Sequence, residues 1–463
     1  MKKIVSALIA AAMSFTSLTV LPPEADDQKY YAADAKAAYV DNLPEVMSDA
    51  AALPNPLISR DVPAYSGSSG SPSYANDDKY YTFWSSTPED YIAYDLSSVP
   101  ASQRKKVLAV WYTLSTYDNI GVYVSKSNEP VDYTIEVNKA PGGSYPSSGW
   151  EVAEKVSGNT FGSRQHVLDM EGFNWIRLNV TKSSGSGISI NLDIHDVSQG
   201  VFDSWIFFGD SITAGGMVNA YGTSCSNYVN QIDSRYFPAQ ENGGIGGITS
   251  TDGRNNIDKW LSATPAHFVS IAYGTNDCWG NPDNTQKYYD NTKYMIDAIL
   301  KAGKIPVLPK IPYSTNPDVG PNTGYYNAMI DKLYSEYGDK LVHGPDFNEF
   351  FKENTWGLSG DGVHPNSEGY EAMKKLWAET IYKNVYTNAQ FAAEPVITSV
   401  KGDVNGDGEF NIADLVNMQK WLLGTPDSVL ANGKAGELTG DGKLNVFDLI
   451  KMRRMLFTGS AAD

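Results

Sequence analysis

A serine and a histidine in two distant segments are suited to nucleophilic catalysis. Ser211 follows the apolar run 205–208 and a Gly-Asp pair, and His364 stands three residues after Asp361. A carboxylate that holds an imidazole through Nδ1 leaves Nε2 to take the proton of a serine hydroxyl. Taken separately, the Asp-Ser pair is also a good helix cap, and Asp361 and His364 could simply form a loop hydrogen bond.

Two further segments could direct hydrogen-bond donors at one point. Residues 242–249 read Asn-Gly-Gly-Ile-Gly-Gly-Ile-Thr, and a loop this rich in glycine can aim several backbone N–H groups together. Asn276 follows the apolar run 268–273, and its side-chain amide can also donate. The alternatives are a flexible turn for the glycine loop and an ordinary turn asparagine at position 276.

The elements around these segments predict a parallel sheet. From Phe202 to about Tyr386, apolar strand-like runs alternate with longer helix-like stretches, which indicates βαβ units. Functional groups in such sheets collect at the carboxyl ends of the strands. The predicted strands include Trp205–Phe208, Phe268–Tyr273 and Ile305–Leu308, and the predicted helices include Tyr288–Ala302, Gly324–Tyr337 and Ser367–Val385.

Together the four segments resemble the SGNH (GDSL) hydrolase family, which is marked by Gly-Asp-Ser, a glycine, Gly-x-Asn-Asp and Asp-x-x-His in this order. The resemblance implies a three-layer α/β domain over residues 201–386 and ester hydrolysis through an acyl-serine, with no metal needed. It makes Ser211 the nucleophile, His364 the general base and Asp361 the residue that orients His364. By the same resemblance, the N–H groups of Ser211 and Gly247 and the side-chain amide of Asn276 form the oxyanion hole.

The C-terminal residues contain a repeated loop with calcium-ligand spacing. Residues 403–414 and 437–448 each place oxygen-bearing side chains at positions 1, 3 and 5, glycine at 6 and an acid at 12. Each loop runs into an apolar helix, Leu415–Leu423 or Leu449–Leu456. The alternative is an acidic turn pair without metal. The candidate calcium ligands are Asp403, Asn405, Asp407, Glu409, Asn411 and Asp414 in the first loop, and Glu437, Thr439, Asp441, Lys443, Asn445 and Asp448 in the second.

Two loop–helix units in one short segment, 401–459, resemble a type I dockerin, the module that docks enzymes onto the cohesin domains of a cellulosomal scaffoldin. Glu437 and Thr439 depart from the usual Asp and Asn, which weakens the second calcium loop. The resemblance puts cohesin recognition at the pairs Ile412-Ala413 and Val446-Phe447. Because these pairs are apolar and differ between copies, we expect a cohesin unlike those that read Ser and Thr, bound in one productive orientation.

The N-terminal residues 55–200 predict a β-sandwich, because short alternating strands are separated by turn-forming clusters. Segments from Asn55 to Leu96 resemble the start of galactose-binding-like jelly rolls. One interpretation is a carbohydrate-binding module that presents aromatic residues such as Trp84, Trp111 or Trp150. The other is a structural jelly roll that packs on the hydrolase and shapes one wall of its cleft, which the short connection 196–203 favours.

Composition and the N-terminus point to an exported, acidic protein. Lys plus Arg is 36 and Asp plus Glu is 54 over 463 residues, so the net charge of −18 argues against nucleic-acid binding. Lys2 and Lys3 precede the apolar run 4–21, which predicts a signal peptide within 1–35, followed by a loosely packed segment 36–54. No second apolar run could span a membrane. Export would permit a disulfide between Cys225 and Cys278.

The sequence therefore predicts a secreted, extracellular serine esterase tied to a cellulosome through its dockerin, with residues 387–400 as a linker. The expected reaction is removal of O-acetyl groups from a plant cell-wall polysaccharide, acetylated xylan first. Pectin or rhamnogalacturonan deacetylation and a lipase-like esterase are the alternatives among enzymes. A catalytically silent carbohydrate-binding protein is the alternative of another class.

Overall fold

The computed structural model describes residues 56–458 except 69, 78, 114–127, 160, 199–202, 218–222, 281, 389–399, 406–408, 426–429, 431–432 and 440–443. The predicted signal peptide and the segment 36–54 lie outside the described residues. The same holds for most of the predicted linker and for the candidate ligands Asp407, Asp441 and Lys443.

Two antiparallel sheets pack face to face in the N-terminal part, which confirms the predicted β-sandwich. The strands are β1 (Ala64–Ser66), β2 (Trp84–Ser86), β3 (Asp90–Asp95), β4 (Lys106–Thr113), β5 (Pro130–Asn138), β6 (Glu151–Val156), β7 (Ser163–Asp169), β8 (Trp175–Ser183) and β9 (Ile188–Asp196). Among the described residues their orders are β1-β3-β8-β5-β6 and β2-β9-β4-β7. Alternate side chains of both sheets, such as Ile92, Leu178 and Ile194, form the shared core.

The sandwich tryptophans correct one expectation. Trp84 and Trp111 are fully buried, so neither can present its ring to a sugar. Trp150 is partly exposed, with the Arg177 guanidinium 4.3 Å from its ring centroid. An alternating strand puts every second side chain in the core, and the sequence did not show which face of β2 or β4 was inward.

The middle of the chain forms a parallel sheet flanked by helices, which confirms the predicted α/β fold. The strands are β10 (Ser204–Gly209), β11 (Ala239–Gly244), β12 (Phe268–Ala272), β13 (Ile305–Lys310) and β14 (Val342–Asp346). The helices are α1 (Ser211–Gly216), α2 (Cys225–Ile232), α3 (Ser250–Ala263), α4 (Thr285–Lys301), α5 (Gly320–Tyr337), α6 (Phe347–Glu353) and α7 (Ser367–Ile381), which continues as a π-helical turn over Tyr382–Tyr386. In the part of the chain that is described, the strand order is β11-β10-β12-β13-β14, so the order reverses beside β10. Ligands of such sheets bind at the carboxyl ends of strands next to this reversal.

Helices cover both faces of this sheet, and for that reason β10 is apolar throughout. Ile206 and Phe208 enter the core on one face, and Trp205 and Phe207 enter the core on the other. Cys225 belongs to the second core and Cys278 to the first, and both thiols are free. The disulfide that export would have permitted is therefore not formed.

The sandwich packs directly on the parallel sheet. The outer face of its four-stranded sheet forms an apolar cluster that includes Val110, Tyr112 and Ala239, the first residue of β11. Beside the cluster, Gln165 Nε2 donates to the Trp205 carbonyl oxygen at 3.2 Å. These contacts lie towards the amino-terminal ends of β10 and β11, so they fix the two units together at the end away from the strand-end loops.

The C-terminal unit contains two main helices and a small core of its own. Helices α8 (Ile412–Leu422) and α10 (Val446–Thr458) are separated by the one-turn helix α9 (Gly433–Gly436). Val404, Met418, Leu430 and Met452 form the buried core. Within the residues that the structure covers, no helix is long and apolar enough to cross a membrane.

Candidate active site

Ser211 is presented at the carboxyl end of β10, at the start of α1. Asp210 caps this helix by accepting from the Ile212 N–H at 3.0 Å, so the Asp of the Gly-Asp-Ser segment is the cap and the serine is the first helical residue. A Cβ at Gly209 would lie 2.1 Å from Thr213 Oγ1 and 2.8 Å from the Ala272 carbonyl oxygen. Glycine is therefore required for the close approach that lets the strand turn into the helix.

Ser211, His364 and Asp361 lie in one hydrogen-bonded chain. Ser211 Oγ and His364 Nε2 are 2.8 Å apart, although 153 positions separate them in sequence. His364 Nδ1 lies 2.6 Å from Asp361 Oδ2. A carboxylate can only accept, so Nδ1 carries the proton and Nε2 is left as the acceptor for the serine hydroxyl.

The Asp361 carboxylate is held in its ionised form. Partial burial alone would raise its pKa, but hydrogen bonds from His364, from the Ser359 hydroxyl and from the Val363 and His364 N–H groups outweigh burial and lower the pKa. Ser359 Oγ is 2.7 Å from Asp361 Oδ1. Asp361 therefore offers a stable negative charge to the imidazolium that forms when His364 takes a proton.

The predicted glycine loop begins inside β11, the neighbour of β10, because Asn242, Gly243 and Gly244 are its last strand residues and only the residues from Ile245 onward form the turn. A Cβ at Gly243 would lie 2.6 Å from the Phe208 ring and one at Gly244 would lie 2.2 Å from the Ala214 nitrogen, so both glycines are needed for packing. Gly247 is different, because its φ is +79° and a Cβ there would meet nothing within 4 Å. Its backbone conformation, and not lack of space, therefore requires glycine.

Asn276 follows β12, the other neighbour of β10. Its Nδ2 donates to the Ile248 carbonyl oxygen at 2.8 Å, which ties it to the residue after Gly247. A side-chain amide has two N–H groups, so a second donor remains for a ligand. The three turns that carry Ser211, Gly247 and Asn276 thus end three adjacent strands of the sheet.

Sequence reasoning gave no role to three residues around these groups, although Asp277 ends the Gly-x-Asn-Asp segment. Asp277 accepts from both the N–H and the hydroxyl of Ser250, and Asn316 Nδ2 donates to the Asp361 carbonyl oxygen at 3.1 Å. Trp279 is 40% exposed, and the next residue's N–H donates to the Asp318 carbonyl oxygen. This backbone contact joins the segment after Asn276, which carries Trp279, to the loop of Asn316 that contacts Asp361. An aromatic residue three positions after Asn276 was the sequence signal for this exposed ring.

The first calcium loop has the buried carboxylates that a cation would need. Asp403 and Asp414 are fully buried, and Asp414 accepts from the Asn405 N–H at 3.1 Å and from the Asn411 N–H at 2.8 Å. Side-chain oxygens at these positions are hard ligands of the type calcium prefers. The described residues of this loop therefore fit a calcium ion.

The second loop fits a cation less well. The Thr439 hydroxyl donates to Asp448 Oδ1 at 3.0 Å and lies 3.2 Å from Glu437 Oε1. Lys451 Nζ donates to the Leu438 carbonyl oxygen at 2.6 Å, which brings a positive charge to the loop. The neutral threonine and the nearby ammonium group both oppose cation binding.

The four predicted recognition residues lie at the first turns of α8 and α10. Ile412, Ala413, Val446 and Phe447 are all exposed. Their exposure leaves these side chains accessible to a partner.

Comparison with known protein families assigns two of the three units. Residues 207–372 match the GDSL-like lipase/acylhydrolase family, and residues 401–457 match the type I dockerin domain. The chain therefore carries a GDSL-like lipase/acylhydrolase domain and a C-terminal type I dockerin domain.

One curated relative and two solved structures are similar to part of the chain. A multidomain esterase of Ruminococcus flavefaciens is 28% identical over 203 residues, which is 39% of this chain and 25% of that protein. The chain thus spans about a quarter of that relative's length. An acetylxylan esterase from Geobacillus stearothermophilus is 21% identical with a TM-score of 0.33, over 39% of this chain and 93% of its own. A lipase/acylhydrolase from Enterococcus faecalis is 21% identical with a TM-score of 0.33, over 39% of this chain and 95% of its own.

Proposed function

We propose that this protein is a secreted serine esterase that removes O-acetyl groups from plant cell-wall polysaccharide, acetylated xylan first, and that its dockerin ties it to a cellulosome. The observation that carries the proposal is a chain of two hydrogen bonds within a GDSL-like domain. The first joins Ser211 Oγ and His364 Nε2 at 2.8 Å, and the second joins His364 Nδ1 and Asp361 Oδ2 at 2.6 Å. The dockerin domain in the same chain supports an extracellular polysaccharide as the substrate.

The proposed reaction has two steps. In the first, His364 Nε2 takes the Ser211 proton as Oγ attacks the acetyl carbonyl carbon, and the same proton then goes to the sugar oxygen as the ester C–O bond breaks. In the second, His364 takes a proton from water as its oxygen attacks the acetyl-serine, and His364 then gives this proton to Ser211 Oγ as the acyl C–O bond breaks; the acetic acid formed ionises to acetate in solution. The donors at Ser211, Gly247 and Asn276 stabilise the oxyanion that forms in both steps.

Trp279 supports a carbohydrate as the alcohol side of the ester. Its ring is exposed beside the Asn276 turn, and flat aromatic faces suit the apolar faces of sugar rings. Replacing Trp279 with Ala should lower kcat/KM for acetylated xylan about tenfold more than for 4-nitrophenyl acetate. Tyr294 is also 40% exposed but lies on α4 and bonds to Asp258, so Tyr294→Ala is the matched control.

Calcium would be held in the dockerin by Asp403, Asn405 and Asp414, with Asn411 beside them at the start of α8. A bound calcium ion supplies charge neutralisation that keeps the buried carboxylates together. The residues themselves fix the loop to α8, because Asp414 bonds to two loop N–H groups and Asn411 caps the helix. This arrangement positions Ile412 and Ala413 for a cohesin.

The substrate test is acetate release from acetylated xylan, acetylated mannan and acetylated pectin, measured side by side with Ser211→Ala as the blank. We expect the fastest release from xylan and none above background from the variant. Faster release from pectin would make acetylated pectin the substrate in place of xylan. Preference for long-chain nitrophenyl esters would indicate a lipase-like esterase. Turnover retained by Ser211→Ala would remove Ser211 from its role, and no turnover on any ester would indicate a silent carbohydrate-binding protein.

The docking part is tested by chelation. Removing calcium with EDTA should abolish capture by an immobilised type I cohesin while 4-nitrophenyl acetate turnover stays within about twofold, because the dockerin loops and the candidate site are separate. Loss of esterase activity on removal of calcium would point to a metal role in the hydrolase domain. It would contradict the proposal that calcium serves only the dockerin.

A further inference from the structure

Two neighbouring side chains of the turn after β12 reach across to the start of α3. Asn276 Nδ2 donates to the Ile248 carbonyl oxygen at 2.8 Å. Asp277 Oδ2 accepts from the Ser250 N–H at 2.9 Å, and Asp277 Oδ1 accepts from the Ser250 hydroxyl at 2.5 Å. Three hydrogen bonds therefore join the turn that carries Asn276 to the segment that directly follows Gly247.

The start of α3 does not need Asp277 as a cap. Thr249 and Asp252 already form a capping box, in which the Thr249 N–H donates to Asp252 Oδ2 at 2.8 Å. The Ser250 N–H has no partner inside the helix, and Asp277 accepts from it although 27 positions separate the two residues. The bond therefore satisfies a donor of the helix start and also joins two different strand-end turns.

Gly247 depends on this connection for its orientation. It is exposed, its φ is positive, and it has no side chain with which to pack against its surroundings. The peptide plane that carries its N–H lies between Ile245, whose N–H donates to the Gly209 carbonyl oxygen at 2.9 Å, and residues 248–250, which Asn276 and Asp277 hold. Two outer contacts keep Asp277 and Ser250 in place, because Tyr326 OH donates to the Asp277 carbonyl oxygen at 2.8 Å and Asn291 Nδ2 donates to Ser250 Oγ at 3.1 Å.

We propose that Asp277 is a positioning residue for the oxyanion hole: its carboxylate fixes the first turn of α3 so that the Gly247 N–H and the Asn276 amide face the same point. The inference rests on the proposed esterase function. The Asp277 carboxylate accepts from Ser250, and it acts through the two donors that the Ser250 contacts hold in register.

The test compares kcat and KM of Asp277→Ala, Asp277→Asn and Ser250→Ala on 4-nitrophenyl acetate. We expect kcat of Asp277→Ala to fall roughly 30- to 100-fold, since misplacing a donor costs most of what its removal would, with KM within about twofold. On a logarithmic scale, the kcat of Asp277→Asn should lie about halfway between those of Asp277→Ala and the wild type, because the amide oxygen can still accept from the Ser250 N–H. Ser250→Ala should lose about threefold, because only the hydroxyl bond is removed.

Two controls separate positioning from a general loss of folded protein. Asp233 is buried in the same domain and bonds to Arg235, so Asp233→Ala should lower thermal stability without a similar fall in kcat. In the double variant with Asn276→Ala, the loss of kcat should be smaller than the product of the two single losses, because Asp277 acts in part through the Asn276 donor.

Three outcomes would overturn the inference: Asp277→Ala keeps kcat within about threefold, Asp233→Ala loses as much kcat, or the losses of Asp277→Ala and Asn276→Ala multiply. If Asp277→Ala does not fold, the kcat values of Asp277→Asn and Ser250→Ala decide in the same way. A wild-type protein that hydrolyses no ester would refute the proposed function itself, whereas wild-type turnover with unaffected Asp277 variants refutes only this inference.

Discussion

The two ends of strands β10 and β11 bury polar groups for opposite purposes. At the carboxyl ends, Ser211 lies in a chain of hydrogen bonds to an ionised carboxylate whose pKa is lowered by four donors. Towards the amino-terminal ends, Glu241 lies under the sandwich, and burial raises its pKa to about 8, only partly offset by Thr264, Arg164 and Ser163. Its two oxygens lie 3.4 Å from Ser163 Oγ and 3.3 Å from Thr264 Oγ1.

The difference shows how one sheet can support both a reactive site and a structural joint. A carboxylate with many short N–H and O–H donors stays charged and can stabilise a second charge. A buried carboxyl group with two long contacts is held neutral, so it fills an interface without reacting. The four changes that follow test this contrast, in order of their expected effect on turnover.

The largest effect is expected at His364. His364→Ala removes the only base in contact with Ser211 Oγ among the described residues and should lower kcat about 10⁴-fold or more. The fall in kcat of Asp361→Asn should be about tenfold smaller than that of His364→Ala, because the serine and the imidazole remain and only the orienting charge is lost. Steady-state kinetics on 4-nitrophenyl acetate measure both, and a larger loss for Asp361→Asn would contradict the assigned roles.

A smaller loss is expected at Asn276. Asn276→Ala should lower kcat roughly 100- to 1,000-fold with little change in KM, because an oxyanion donor acts mainly in the transition state. Asn256 donates to the Asp252 carbonyl oxygen on α3 and serves as the matched asparagine control. Equal losses in Asn256→Ala and Asn276→Ala would show that the effect comes from the fold and not from the donor.

A modest loss is expected at Ser359. Ser359→Ala removes one of the donors that keep Asp361 ionised and should lower kcat about threefold to tenfold, the range for one hydrogen bond to a charged group. Ser335→Ala, on the exposed side of α5, is the control and should keep full kcat. A loss of 100-fold or more would mean that Ser359 has a direct part in the reaction.

No loss of turnover is expected at Glu241, but stability should change with pH. Between about pH 4.5 and 8 the folded protein keeps a proton on Glu241 that the unfolded chain releases, so the free energy of unfolding falls as pH rises through this range. Glu241→Gln removes this titration and should raise Tm at pH 8 more than at pH 5. Thermal unfolding at both pH values measures the change of Tm between pH 5 and pH 8, and the exposed Glu353→Gln is a control that should leave this change as in the wild type. The same change of Tm in Glu241→Gln as in the wild type would show that Glu241 is charged in the interface.

Much of the fold was predictable because it depends on near neighbours. The apolar run before Ser211 and the change from alternating to continuous apolar strands identified the sandwich and the parallel sheet, and both are confirmed. Helix starts were less accurate: α5 begins at Gly320, and not at the predicted Gly324, because Pro321 is accepted in a first helical turn. The domain boundaries and the roles of the site residues stay predictions.

The sequence by itself determined the elements and the chemical groups at their ends, because caps, strand periods and loop spacing are set by residues a few positions apart. Only the tertiary structure decided which turns meet. It brought His364 to Ser211 and Asp277 to Ser250, placed Trp84 and Trp111 in the core, and separated Cys225 from Cys278 across the sheet. Contacts of this kind depend on the order and register of strands far apart in the chain, and burial, which sets the protonation of Glu241, follows from the same packing.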